Sequence, residues 1–411
     1  MEETLKSMKT IGLMAVSAVA LLSAALPASA EIAGGRVKLG VLTDISGFAS
    51  DSTGTGSVVA AQLAAEDFAA QLPGAKIEVI SADHQNKPDI GSATARRWVE
   101  QESVNAVLDV PFSSVALAVS EVTRGSKALL VASGPGTTAL TGPKCSPNTI
   151  HWTYDTWALS NGTAKVVTET VGKSWFFLTA DYAFGHSLEQ DASAVVKANG
   201  GTVVGGVRHP TNNSDFSSFL LQAQASGANI IGLANAVGDT VTSVKQAAEF
   251  GITSGGQHLA ALLMQLSDVS AVGLESAQGL YLTEPFYWDM TTETRAFSDR
   301  FAERMNGRRP TANQAGVYSG ALHYLKAVKA ANSTDGAAVA AAMKEIPTDD
   351  PLFGKGKVRV DGRVIHEMHV FQVKSPDESK GDYDFYKLVK TIPADQAFRP
   401  LDQGGCPLAT Q

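Results

Sequence analysis

From Arg36 onward the chain repeats one unit, a short apolar run followed by an amphipathic stretch, and few architectures tolerate that order. Arg36 to Leu42 reads as a strand, after which Val58, Ala61, Ala65, Phe68 and Leu72 recur at helical spacing. Strands are predicted at Lys76 to Ala82, Asn105 to Val110 and Ala128 to Ala132, with helices at Asp89 to Glu102 and Ser114 to Arg124 between them. This β-α-β-α-β-α-β order requires a parallel sheet with right-handed crossovers. The unit resumes further on, with strands at Ser174 to Thr179, Thr202 to Val207, Asn229 to Ala234 and His258 to Leu263. Helices are predicted at Ala158 to Val171, Leu188 to Ala198, Phe216 to Ala225 and Val241 to Phe250. The fold class is therefore α/β, two Rossmann-like lobes each built on a parallel sheet.

Between the lobes, Gly142, Pro143 and Pro147 forbid a helix in Thr137 to Asp155, so the chain is expected to cross there. Further crossings are expected near Gly279 to Trp288 and near Ser333 to Gly336, separated by helices Glu293 to Met305 and Ala312 to Ala331. Three crossings make a hinge. The first lobe is assigned 31–155 with 285–335, and the second 156–284 with 336–411, including the C-terminal tail. Near the end, Lys357 to Val360, Asp361-Gly362 and Val364 to Val373 read as one hairpin with an Asp-Gly turn.

The first thirty residues stand apart. Lys6 and Lys9 precede an apolar run from Ile11 to Leu26, and Ala28-Ser29-Ala30 supplies small residues where a signal peptidase reads them. This pattern predicts a cleaved secretory signal, residues 1–30, and an exported chain, periplasmic in a Gram-negative cell. The run is shorter than the roughly twenty residues that span a bilayer. A net charge of −8 without a basic cluster argues against a nucleic-acid or anionic-membrane partner. The two cysteines, Cys145 and Cys406, are expected to pair in an oxidising compartment, pinning the tail to the loop around Cys145, with two free thiols the alternative.

Motifs for chemistry fail on context. Gly134-Pro135-Gly136-Thr137-Thr138-Ala139 fits G-x-G-x-x-A after a strand, but Pro135 removes an N–H, and Gly142-Pro143 stops the helix a pyrophosphate would need. Gly185-His186-Ser187-Leu188-Glu189 lacks the second glycine of a nucleophile elbow, which leaves a serine hydrolase using Ser187 as the rival class. His366 and His369, three apart on a strand, point to opposite faces and do not form a metal pair. No cofactor, metal or catalytic residue is assigned.

What remains is a set of polar and aromatic residues just past strand ends, where open α/β sheets bind ligands. These are Ser46, Gly47, Phe48 and Asp51; Pro111 to Ser114; Ser133 to Thr137; Asp181 to Phe184; and Asn235 to Asp239. Together with Val37 to Gly47, Leu140-Thr141, Tyr182-Ala183-Phe184-Gly185 and Glu275 to Leu280, they resemble the type I periplasmic solute-binding proteins of ABC importers, in the branched-chain amino acid and amide branch. The resemblance covers essentially the whole chain after the leader. It implies a monomeric binding subunit that closes on a small solute and hands it to a permease; a sensor subunit signalling to a receptor kinase is the other role that uses the closed form.

It further implies that a ligand carboxylate is held by Ser113 or Ser114 and by the loop Gly134, Gly136 and Thr137. Phe48, Phe112, Tyr154, Tyr182, Phe184 and Phe286 are expected to offer aromatic surface, and Asn235 and Asp239 polar contacts. Amino-acid binders of this family place an acid after the strand corresponding to His258 to Leu263, where this chain reads Ala260 to Met264 with none. A buried ammonium without an anionic partner costs on the order of several kcal/mol. The expected ligand is therefore a small organic acid, with an aromatic acid such as a benzoate or cinnamate derivative the favoured kind and branched-chain amino acids or amides the alternative.

Overall fold

The computed structural model describes Ile32 and residues 35–410; the expected leader lies outside them. In the first lobe, β1 (Arg36–Thr43), α1 (Gly54–Ala69), β2 (Lys76–Asp83), α2 (Pro88–Glu100), β3 (Ala106–Asp109), α3 (Ser113–Thr123), β4 (Leu129–Ala132) and β5 (Thr149–His151) follow the expected alternation. Their sheet runs β2-β1-β3-β4-β5, every pair parallel. Helices on both faces bury β3 and β4 completely, which is why they read as unbroken apolar runs. Gly40 of β1 leaves room for the Trp98 ring, which a Cβ there would meet at 2.6 Å.

The second lobe opens with α4 (Thr156–Leu159), a π-helical stretch Ser160–Ala164 and α5 (Lys165–Thr170), where one continuous helix was predicted. The widened turn brings Gly162 against Thr283, so closely that a Cβ would stand 2.2 Å from its hydroxyl. Then come β6 (Ser174–Ala180), α6 (Ala183–Ala198), β7 (Thr202–His209), α7 (Ser217–Ala225), β8 (Ile230–Ala234), α8 (Val237–Glu249), β9 (His258–Ala261), α9 (Leu266–Val272) and α10 (Leu274–Ala277). This sheet runs β7-β6-β8-β9, again all parallel. In both sheets the order reverses beside the first strand, and ligands of such sheets sit at that switch point.

The remainder departs from expectation in two places. After β10 (Tyr281–Glu284), α11 (Thr292–Arg304) and α12 (Ala312–Ala331), the chain does not leave the first lobe near Ser333. Helix α13 (Gly336–Glu345) instead buries Val339, Ala340 and Met343 in the same apolar cluster as β1 and α12. The predicted hairpin is also divided. β11 (Thr348–Asp350), β12 (Gly354–Val358) and β13 (Val364–Ile365) form one antiparallel sheet, whereas β14 (Met368–Val373) joins β10 and β15 (Tyr386–Ile392) in another. Val364 packs in the first lobe's core, and Met368 and Val370 in the second's. The third crossing therefore falls between β13 and β14, and its strand-like apolar content disguised a change of lobe as one long strand.

Arg363 fastens that crossing to the first one. Its guanidinium is fully buried, donates to the backbone oxygens of Trp152 and, at 2.8 Å, Tyr154, and lies 3.7 Å from Asp155 and 4.6 Å from the Phe398 ring centre. A chain segment after α14 (Ala394–Ala397) runs the other way between lobes. Phe398 packs in the second lobe, Arg399 pairs with Asp191 of α6, and Cys406 is disulfide-bonded to Cys145 on the first-lobe side. The expected pairing of the two cysteines is thus present.

Candidate functional site

A cavity lies between the lobes at the two switch points, enclosing about 380 Å³ including its mouth. The first lobe lines it with Ala49, Ser52 and Thr53 after β1, Pro111 and Phe112 after β3, and Gly134 after β4. Tyr182 and Phe184 after β6, Ala236 and Val237 after β8, and Leu263 and Gln265 after β9 face them from the second. Tyr154 of the first crossing and Asn313 of α12 complete the wall. No Asp, Glu, Lys, Arg or His belongs to this lining.

The lobes touch around it. Phe112 has its ring centre 5.3 Å from Phe48 and 6.4 Å from Tyr182, and Val237 of the second lobe is buried in a cluster otherwise formed by the first. Tyr182 in turn stands 6.0 Å from Phe184. Burial pushes the Tyr154 and Tyr182 hydroxyls well above the usual phenol range, so both stay neutral.

Helix starts converge on this uncharged lining. Thr53, Phe112, Tyr182 and Ala236 are the N-cap residues of α1, α3, α6 and α8, and none offers a side-chain cap to its helix. Side chains cap α4 (Asp155), α11 (Thr291), α12 (Thr311) and α13 (Asp335), whereas α2 and α7, which begin away from the cavity, lack such a cap as well. The first-turn N–H groups of a helix have no intrahelical partner and carry its positive dipole end. An anion between the lobes would meet several such ends at once.

Backbone strain marks the same places. Asp109 and Val110, just before Phe112, have φ of 76° and 55°, and Val237 has φ of 48°. For branched valine the left-handed region costs on the order of 1–3 kcal/mol, a strain typical of binding sites. Buried Asp109 is pushed up to about 6 by loss of solvent, and its Oδ1 accepts from Ser133, holding the start of the glycine loop.

Among the residues predicted from sequence, Phe112, Gly134, Tyr154, Tyr182 and Phe184 stand together in the lining. Phe48 packs behind Phe112, and Ser113 lies one step back, its hydroxyl accepting from the Thr137 amide at 3.2 Å. Ser113 thus joins α3 to the glycine loop, and Ser114 is absent from the lining. Gly136 leaves space for Phe184, whose ring a Cβ would meet at 2.7 Å. Asn235 is fully buried and spends its amide on His209, Ser243 and Thr240. Asp239 accepts the backbone N–H groups of Asn212 and Asn213. Phe286 is away from the cavity, in the first lobe's core beside Phe297 and Phe353.

Ala49, Ser52, Thr53, Gln265 and Asn313 line the cavity but are missing from the sequence reading. The strand-end rule applied to β9 stops at Met264, and carried one residue further it reaches Gln265; nothing local marks Asn313. Behind Gln265, the Asp268 carboxylate accepts its backbone N–H at 2.8 Å, and loss of solvent pushes Asp268 up to about 7. Glu284 at the end of β10 is also buried and raised well above the usual carboxyl range by desolvation. Neither acid lines the cavity.

Two other clusters are occupied internally. Asp44, Asp83 and His84 place ligand-type atoms within 4.8 Å of one another, but Asp44 accepts from the Gly47 and Ala49 amides and Asp83 from those of Ile45, Ser46 and Gln85. The Ser187 hydroxyl meets Thr156 at 2.7 Å and Thr138 at 3.3 Å, while the neighbouring His186 imidazole engages Asp181 at 2.7 Å. Ser187 has no base there.

Two hinged α/β lobes with a small uncharged cavity at facing switch points define a ligand-capturing clamp. The chain belongs to the periplasmic binding protein family, whose model matches residues 36–382. It is similar to a periplasmic binding protein from Burkholderia mallei, with 47% identity, 91% of this chain and 99% of the other covered, and a TM-score of 0.88. A branched chain amino acid ABC transporter periplasmic ligand-binding protein from Burkholderia xenovorans shares 38% identity over 91% of this chain and 100% of its own, with a TM-score of 0.81. A Leu/Ile/Val-binding protein homolog of Brucella suis is 27% identical over 369 residues, 87% of this chain and 90% of that protein. Among the described residues, no helix is long and apolar enough to cross a membrane.

Proposed function

We propose that this chain captures a small organic carboxylate in the periplasm and delivers it, chemically unchanged, to the permease of an ABC importer. The observation that carries the ligand class is the convergence of four helix N-termini without side-chain caps on a lining without ionised groups. Such a site stabilises an anion through fixed backbone dipoles. Four aromatic side chains, Phe112, Tyr154, Tyr182 and Phe184, offer flat surface and support an aromatic acid. Capture proceeds by closure, the ligand bridging two rims that already touch in this arrangement.

Thermal-shift screening of benzoate and cinnamate derivatives against a panel of free amino acids tests this reading. Stabilisation by aromatic carboxylates is expected, and stabilisation by leucine alone overturns it. The branched-chain amino acid alternative draws support from the Burkholderia xenovorans relative and from buried Asp268 and Glu284 behind the lining. Under that alternative an ammonium would have to draw a proton off one of these acids, so leucine affinity would rise as pH is raised from about 6 to about 8.

A further inference from the structure

Gln265 is 1% exposed and lines the cavity, yet neither its Oε1 nor its Nε2 has a hydrogen-bond partner. Asn313 reaches the same cavity from the first lobe, 4% exposed, with its Oδ1 also unpartnered. Buried amides in folded chains are nearly always paired, and a group left unpaired is costly. Every other polar side chain of the lining has an outlet: Ser52 and Thr53 donate to the Ala49 oxygen and Tyr154 donates to the Gly134 oxygen at 2.8 Å, while Tyr182 is only half-buried.

The three idle atoms are one donor and two acceptors. A carboxylate accepts only, so at this pole it would meet Nε2 and face two repelling oxygens. An ammonium donates only, leaving Nε2 idle and finding no charge in the lining. Turning the glutamine amide over exchanges its ends and changes neither statement, and Asn313 is kept from turning because its amide nitrogen serves the Tyr154 hydroxyl oxygen, whose own hydrogen goes to the Gly134 oxygen. The group that fits both accepts and donates without carrying charge: a hydroxyl pairs Nε2 and one oxygen, and a primary carboxamide can pair all three.

Resting on the carboxylate reading above, we propose that the ligand carries such a second, neutral donor–acceptor group, and that Gln265 with Asn313 selects it. The carboxylate then lies toward the uncapped helix starts and the neutral group toward the start of α9. Specificity of this kind comes from penalty as much as from attraction, because a ligand that lacks the group buries the idle amides again.

The test is isothermal titration of the full chain, without its leader, with benzoate, 4-methylbenzoate, 3-hydroxybenzoate, 4-hydroxybenzoate and 4-carbamoylbenzoate. At least one hydroxyl- or carboxamide-bearing acid is expected to bind about tenfold or more tightly than benzoate and 4-methylbenzoate. The ratio should shrink below about threefold in Gln265→Met, a variant of similar volume without the amide. The hydroxyl and carboxamide arms separate the two candidate groups. If benzoates bind but the wild-type chain does not discriminate, this proposal falls alone, and the same holds if Gln265→Met keeps the ratio. If no carboxylate binds, the parent reading falls with it. Should Gln265→Met fail to fold, the wild-type ratio alone still decides.

Discussion

Tyr154 and Asp155 are neighbours in sequence and stand in opposite chemical settings. Tyr154 faces a cavity without a charged group, where both ends of the Gln265 amide and the Oδ1 of Asn313 wait unpaired. Asp155 faces the hinge, where buried Arg363 meets it beside two backbone oxygens and an aromatic ring. At the hinge Arg363 finds its partners within the chain, while the cleft leaves several polar atoms for a visitor. A group that fastens two lobes together works best when paired, whereas a site gains its pairing only when ligand arrives, so the two settings suit the two tasks.

Breaking the hinge should have the largest effect. Arg363→Met leaves Asp155 buried without its cation, and loss of one partner of a buried pair costs about 3–5 kcal/mol. Chemical unfolding should register that loss, and adding Asp155→Asn should restore part of it. A wild-type-like midpoint for Arg363→Met would erase the contrast between the two regions.

The acids behind the cleft predict a smaller effect, set by pH. Asp268 titrates near 7 when folded against 3.8 for the ordinary group, so the folded chain holds the proton that the unfolded chain releases. Between these values the folded state binds more protons, and stability falls as pH rises from about 4 to about 7. At about 1.4 kcal/mol per pKa unit the contribution is a few kcal/mol. Asp268→Asn, which still accepts the Gln265 N–H, should flatten the descent in melting temperature measured between about pH 5 and about pH 8.

The smallest change expected is at the junction of cleft and scaffold. Ser113→Ala removes the acceptor for the Thr137 amide and should cost about 1 kcal/mol of stability. Ligand affinity should drop severalfold through the displaced glycine loop. Unchanged affinity by titration would confine Ser113 to the scaffold.

Both parallel sheets were legible because their central strands β3, β4 and β8 are buried on two faces and read as unbroken apolar runs between helical stretches. The cleft was half legible. Phe112, Gly134, Tyr182 and Phe184 sit at strand ends, a position the alternation itself reveals. Asn313 starts a helix distant in sequence, and only tertiary packing brings it to the wall. Phe286 misled because an aromatic residue after β10 looks the same whether it turns to the cavity or to the core. The third crossing was hidden for a related reason, since β13 and β14 share apolar character and are parted by only His366 and Glu367. Periodicity reports burial, and it does not report in which lobe.

The tail sets a limit on travel. Phe398 is seated in one half of the molecule, and Cys406 is covalently held to the other. The eight residues from Arg399 to Cys406, at about 3.3–3.6 Å each, form a leash with a reach of no more than about 29 Å. Under the proposed capture by closure, the stroke of the empty jaws ends where that leash pulls taut, and slack returns only if the sulfur link is cut.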